Sequence, residues 1–273
     1  MHPVSGVPVS VRGCLVTGTD TGVGKTVLAS AIVAGLVARG LRVAAHKPVL
    51  TGLDDAVPGV LGDHELLAGC AGMDPDEVAP IRFGPAVSPH LAATLAGQEI
   101  DVPAIVARVT AIRAGADAGA DAVVVEGVGG LLVPLAPGWD VRAFARALGL
   151  PVVIAARPGL GTINHTLLTL EAARSAGLDV RGVVLTPWPH PPGVVEQSNR
   201  ETIEALGRVE VVALGLVDPL TRAGLARAGA VLPLDAWISR RRRGSPPGPG
   251  RSGSTLRGGP GRGEGDSPRK IAD

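Results

Sequence analysis

Short β-branched apolar runs recur along the chain at Cys14 to Thr17, Val43 to His46, Ala122 to Val125, Val152 to Ala156, Val183 to Leu185 and Val211 to Leu214. Runs of this length and character read as buried strands of a parallel sheet. Between most of them lie helical segments: Thr26 to Arg39, Pro103 to Ala116, Val141 to Leu148, Ile163 to Ala176 and Gln197 to Leu206. That alternation predicts right-handed crossovers and an α/β architecture with helices on both faces of the sheet. Gly40 and Gly177 stand where a helix end wants a left-handed residue, and Pro103 suits a first helical turn.

Composition narrows the class. The chain has 273 residues, 45% of them hydrophobic, enough for a substantial core. Apolar stretches end after about six to ten residues, against the roughly 20 that a membrane helix needs. The N-terminus shows no basic, apolar leader pattern, so a cytoplasmic protein without a membrane partner is expected. Cys14 and Cys70 make neither a disulfide framework nor a metal cluster, and both are expected to be buried and reduced.

The formal charge of +1 conceals an asymmetry: residues 240–273 hold nine Lys/Arg and three Asp/Glu, with nine glycines and five prolines. Such a segment cannot bury enough apolar area to offset its ordering entropy. We therefore expect one domain over residues 1–239 and a disordered tail over 240–273. Without aromatics or a fold of its own, the tail gives no ground for a nucleic-acid partner.

The run Gly18-Thr19-Asp20-Thr21-Gly22-Val23-Gly24-Lys25-Thr26 follows a strand and opens an apolar helix. A phosphate-binding loop requires this context: glycines let the backbone close round phosphate oxygens, and the helix-start N–H groups point at the anion. Lys25 would neutralise phosphate charge, and Thr26 would place its hydroxyl on Mg²⁺. Five residues, not the usual four, separate Gly18 from Gly24. The fold class is accordingly α/β, a three-layer fold of the P-loop NTPase type.

A Mg²⁺-triphosphate site also needs carboxylates. Glu126 closes the strand Ala122 to Val125 and begins Glu126-Gly127-Val128-Gly129-Gly130, which would deliver an acid to the carboxyl edge of the sheet. Asp63 is a second candidate, with Asp54 and Asp55 in the same loop region. Lys47, at the end of the second strand, should face the same edge. Two lysines there would stabilise an anion developing during phosphoryl transfer, which favours catalysis over switching.

Taken in order, Gly18 to Thr26, Lys47 to Gly52, Ser88-Pro89-His90, Glu126 to Gly130 and Leu160-Gly161-Thr162-Ile163-Asn164-His165 resemble the dethiobiotin synthetases of biotin biosynthesis. The resemblance spans residues 13 to about 220 and includes the long loop spacing. It implies an ATP-dependent ligase that closes a cyclic urea on 7,8-diaminononanoate with CO₂, through a phosphorylated carbamate. By the same resemblance, Gly22, Val23, Gly24, Lys25, Thr26 and Val27 cradle the phosphates, and Gly127, Val128 and Gly129 belong to the nucleotide side. Thr26, Asp63 and Glu126 hold Mg²⁺. Lys47 is the catalytic cation, helped by Lys25, and Thr51 hydrogen-bonds the substrate. Gly161, Thr162, Ile163 and Asn164 bind the diamine's carboxylate from the neighbouring subunit, which implies a homodimer.

Where some members of that family read adenine with an Asn, this chain has Thr186 and then Pro187. A hydroxyl discriminates less than an amide, so the triphosphate is ATP or another nucleotide. Trp188 could cover the base, while its flanking prolines also fit a rigid surface loop. Without the family, Asn164 and His165 read as helix caps and His90 as a structural loop histidine. The rival reading is a ParA-like or MinD-like switch, which carries an extra lysine early in the loop; Thr19-Asp20-Thr21 has none.

Overall fold

Alternation along the first strand, β1 (Arg12–Gly18), divides the interior in two: Cys14 and Val16 enter one apolar cluster and Leu15 enters the other. The computed structural model describes residues 11–57, 59–115 and 119–239. After β1 come α1 (Lys25–Ala38), β2 (Val43–His46), β3 (Val49–Leu50), a 3₁₀ turn at Leu53–Asp55, α2 (Asp63–Ala71), α3 (Pro75–Val78), β4 (Ile81–Arg82) and α4 (Pro89–Ala96). The chain continues through α5 (Val102–Arg113), β5 (Ala122–Gly130), β6 (Pro134–Ala136), β7 (Trp139–Asp140), α6 (Val141–Leu148), β8 (Val152–Ala156) and α7 (Thr162–Ser175). It ends with β9 (Val180–Trp188), α8 (Val194–Gly207), β10 (Val211–Gly215), α9 (Arg222–Ala230) and α10 (Leu234–Ile238).

Six strands form one sheet in the order β10-β9-β8-β1-β5-β2, every neighbouring pair parallel. One face is covered by α1, α2, α9 and α10, whose apolar residues join Val16, Val124 and Val184. The other is covered by α4, α5, α6, α7 and α8, which join Leu15, Val125 and Ile154. Because β1 lies between β5 and β8, its carboxyl end and the phosphate loop open at the middle of the sheet, where ligands of open α/β sheets collect.

Local sequence accounts for the helices that matter here. In α6, Val141, Phe144, Ala145 and Leu148 are buried at the spacing of one helical face, and the Asp140 carboxylate caps the first turn by accepting from the Ala143 N–H at 2.6 Å. By contrast α1 is apolar nearly all round, as a helix packed between a sheet and further helices must be. Its contact with α9 is so close that a Cβ at Gly229 would stand 2.1 Å from the Ala31 carbonyl oxygen. No side chain fits there.

The six expected strands are the six of the sheet, and the five expected helices are present with described ends shifted by no more than three residues, α6 by none. Two expectations change. Glu126 does not close its strand: β5 continues to Gly130, because β1 keeps pairing with it as far as Gly18↔Gly130. Trp188 is no surface loop, since it ends β9 paired with Gly215 and packs partly buried on the α7 and α8 side. Cys70, whose run reads as helical, lies in α2, whereas α3, α4, α9 and α10 have no counterpart among the expected helices. The tail expected over 240–273 lies outside the described residues.

Candidate functional site

Between β1 and α1 the loop closes with Gly24 at φ 86°, a left-handed conformation that favours glycine. A Cβ there would also sit 2.7 Å from Thr186 Cγ2, so the end of β9 packs against the loop. Val23 is buried and roots the loop in the α1-side cluster. The first turn of α1 has no side-chain cap, which leaves its N–H groups directed at an incoming anion. The Lys25 ammonium donates to the Asp20 carbonyl at 2.8 Å, within the loop's own concavity.

Across from the loop, β2 ends at His46, paired with Val125. The next residue on each strand, Lys47 and Glu126, therefore meets beyond the last rung. Lys47 Nζ lies 2.6 Å from Glu126 Oε1 and 2.5 Å from Asp63 Oδ2. Thr26 Oγ1 donates to the same Glu126 Oε1 at 2.9 Å, while Glu126 Oε2 is buried without a partner. Period-two alternation in β5 aims Glu126 at the start of α1 and turns Gly127 towards Val141 of α6. Gly127 accordingly lies behind the cleft, while Glu126, Val128 and Gly129 line it.

Burial and charge work against each other in this cluster. Burial pulls the Lys47 ammonium down, but Glu126 and Asp63 outweigh it and hold its pKa above the ordinary lysine value. Burial raises the Glu126 carboxyl, which stays up despite Lys47 because it is fully enclosed. Asp63 is also pushed up by burial, yet Lys47 holds it below the usual carboxylate value. Lys25 is lowered by burial, only partly offset by Glu126.

These groups share a cleft of about 620 Å³ that also reaches Thr21, Thr51, Ser88 and Pro89. A larger depression of about 960 Å³, lined by Trp139, Arg142 and Arg146, lies apart from the phosphate loop and carries no comparable lysine–carboxylate cluster. A family model described as an AAA domain matches residues 12–222. The chain is 40% identical over 215 residues to the ATP-dependent dethiobiotin synthetase BioD of Anaeromyxobacter sp. (strain Fw109-5), covering 74% of this chain and 93% of that one. It is 40% identical over 237 residues to the same enzyme of Anaeromyxobacter dehalogenans (strain 2CP-1 / ATCC BAA-258), covering 85% and 95%. With the enzyme of Mycobacterium avium (strain 104) it shares 41% over 218 residues, covering 78% and 89%. The chain belongs to the dethiobiotin synthetase family.

For a dethiobiotin synthetase the donor set at the cleft suits Mg²⁺. Among the described residues no group of three or more His, Cys, Asp or Glu gathers for a metal. Mg²⁺ needs no such cage, since one or two carboxylates, a hydroxyl and substrate phosphates complete its oxygen shell. The unpartnered Glu126 Oε2 beside the Thr26 hydroxyl is a buried oxygen of the required kind.

The other predicted residues of the synthetase divide between the cleft and the rest of the fold. Thr51 reaches the cleft directly after β3. Gly161, Thr162, Ile163 and Asn164 start α7 and do not line the cleft of their own chain. Gly161 itself is the cap residue, at φ 90° with no side-chain cap, so Asn164 and His165 do not cap the helix; they sit exposed one turn inside it. Thr162 is buried facing Thr166. Thr186 is buried against Gly24 and Pro187 is exposed.

Sequence reasoning gave Ser88 and Pro89 no role, although a Ser-Pro pair signals a helix start, and they open α4 at the cleft wall. Cys14 and Cys70 are buried and free, their thiols pushed up by burial to about 12 and about 11. Among the described residues no helix is long and apolar enough to cross a membrane.

Proposed function

We propose that Lys47 is the catalytic cation of the family's reaction, in which 7,8-diaminononanoate, CO₂ and ATP give dethiobiotin, ADP and phosphate. One observation carries this assignment: a buried ammonium held between Asp63 and Glu126, beside a phosphate loop. An amine of the substrate attacks CO₂ and loses a proton, giving a carbamate. The carbamate oxygen attacks the γ-phosphorus and ADP leaves. The second amine then attacks the carbonyl carbon, phosphate departs with its electron pair, and the ring closes.

A carbamate is a poor electrophile until phosphorylated, so the diamine and the triphosphate must adjoin in one cleft. The amides of Gly22 to Val27 and the Lys25 ammonium cradle the phosphates, with Lys25 leaving the Asp20 carbonyl to do so. Lys47 sits where negative charge passes from carbamate to phosphoryl group, and a preorganised cation in a dry site lowers that barrier most. Mg²⁺ neutralises the β- and γ-phosphates when bound, and Thr26, Asp63 and Glu126 are the residues that would hold it. Val128 and Gly129 wall the nucleotide side with Gly127 behind them, and Thr51 hydrogen-bonds the diamine. Thr186 and Pro187, behind Gly24, lie towards the base.

The exposed start of α7 serves a second protomer. Its Gly161 to Asn164 amides suit a carboxylate, and Leu160 beside them is 98% exposed. This supports a homodimer in which each subunit completes its partner's site. Use of ATP supports a cytoplasmic location.

The test is dethiobiotin formation from the diamine, bicarbonate and Mg²⁺ with ATP, CTP or GTP, followed by mass spectrometry beside Lys47→Ala. Ring formation that collapses in the variant supports the assignment. Triphosphate hydrolysis with no dethiobiotin from any nucleotide would overturn it.

A further inference from the structure

A polar chain runs from α8 to the phosphate loop. Asn199, buried on α8, donates its amide to the Pro158 carbonyl at 2.9 Å and the Gly159 carbonyl at 3.1 Å. These two bonds hold the turn between β8 and α7 at its base. One residue earlier, Arg157 Nη2 donates to Asp20 Oδ2 at 3.0 Å. The other Asp20 oxygen accepts from the Thr21 N–H at 2.7 Å, and the Asp20 carbonyl holds the Lys25 ammonium. A backbone bond from the Thr19 N–H to the Ala155 carbonyl, 3.0 Å, ties the same two segments a second time.

We infer that Arg157 is a positioning residue that, through Asp20, couples the phosphate loop to the β8–α7 turn, so that nucleotide and diamine bind with mutual preference. This rests on the reading above in which Gly161 to Asn164 take the diamine's carboxylate. Physical chemistry gives the pair a purpose. An unpaired carboxylate in a phosphate loop opposes an incoming polyphosphate, and Arg157 cancels that charge. When Lys25 leaves the Asp20 carbonyl for the phosphates, Asp20 is freed on one side and its carboxylate keeps the loop on Arg157. The turn carrying Arg157 is then ordered by the nucleotide, and Gly161 to Asn164 begin four residues later. In the homodimer that turn faces the partner's substrate, so the coupling joins the nucleotide of one site to the diamine of the other. Coupling free energy is reciprocal, so the diamine tightens the nucleotide by the same factor.

Both side chains are more than half exposed, which bounds the effect: such a pair shifts affinity by up to about fivefold. The experiment titrates the full-length protein with diamine, by calorimetry, with and without a non-hydrolysable Mg-ATP analogue. Wild type, Arg157→Gln, Arg157→Lys and the double variant Asp20→Asn/Arg157→Gln are compared. We expect the analogue to tighten diamine binding in wild type, this factor to vanish in Arg157→Gln, and Arg157→Lys to restore part of it. The double variant should equal the single one. In turnover, Arg157→Gln should raise KM for the diamine while kcat changes less. A wild type without coupling, or Arg157→Gln that keeps it, overturns the inference while leaving the ligase reading standing. Failure of wild type to bind the diamine or to form dethiobiotin overturns both.

Discussion

Lys47 and Glu126 are 79 residues apart in the chain, and the lysine ammonium donates to the glutamate Oε1 at 2.6 Å with both side chains closed to solvent. Neither local motif implies the other; parallel pairing of β2 with β5 makes the contact. Replacing Lys47 by Ala leaves Glu126 enclosed without its cation. Dethiobiotin formation should fall by about 10²- to 10³-fold, the cost of losing one preorganised transition-state donor. Steady-state kinetics check this, and kcat should fall more than KM for ATP rises.

Glu126→Gln keeps shape and removes charge, and Asp63→Asn does the same at a position whose side chain is 45% exposed. Both should raise the Mg²⁺ concentration needed for half-maximal turnover, by at least about tenfold for Glu126. The effect at Asp63 should be smaller because water substitutes for it. Mg²⁺ titration of activity measures both.

Gly24→Ala meets two obstacles, the left-handed backbone and Thr186 Cγ2 at 2.7 Å from the new methyl. Nucleotide affinity should drop, and stability should fall by about 1–3 kcal/mol from backbone strain. Adding Thr186→Ala should recover only part of either, because the φ of 86° remains. Calorimetric binding of a Mg-ATP analogue and urea unfolding give the two quantities.

His46, buried beside Lys47, is held to about 4, first by desolvation and then by the Arg108 charge. The unfolded chain binds this proton below about 6.5 and the folded one only near 4, so the unfolded state takes up more protons in between. Stability should therefore be fully present above about pH 6.5 and decline by up to about 3 kcal/mol as pH falls through 4. His46→Gln should flatten that part of the curve in urea melts at successive pH values.

A shared site predicts complementation. In the proposed homodimer, Lys47→Ala and Asn164→Asp would each disable a site from opposite subunits. Mixed and re-equilibrated, they should recover up to about a quarter of wild-type turnover, since half the dimers are hybrid and each hybrid has one intact site. Mixtures no more active than the separate variants would show that each subunit works alone.

The phosphate loop was legible because its chemistry is local: glycines at Gly22 and Gly24, then Lys25 and Thr26, write one backbone shape into adjacent residues. Glu126 was found for the same reason, as an acid followed by glycines. The extent of β5 was misjudged because Gly127 to Gly130 have poor strand propensity and are held in the sheet by β1. Ser88-Pro89-His90 is legible as a block of the resemblance, but helix α4, which it opens, is not, because the helix is short and only three of its residues are buried. Arg157 carried no signal at all, since its partner Asp20 is 137 residues away.

Sequence by itself determined the six strands, five of the helices, the anion-binding loop and the family. Periodicity and glycine placement act over a few residues and need no partner. Tertiary structure alone decided the order β10-β9-β8-β1-β5-β2, and with it that Lys47 stands between Asp63 and Glu126 and that Arg157 reaches Asp20. Those contacts arise from burying both faces of one sheet, a free energy summed over the whole chain, which no window of adjacent residues contains.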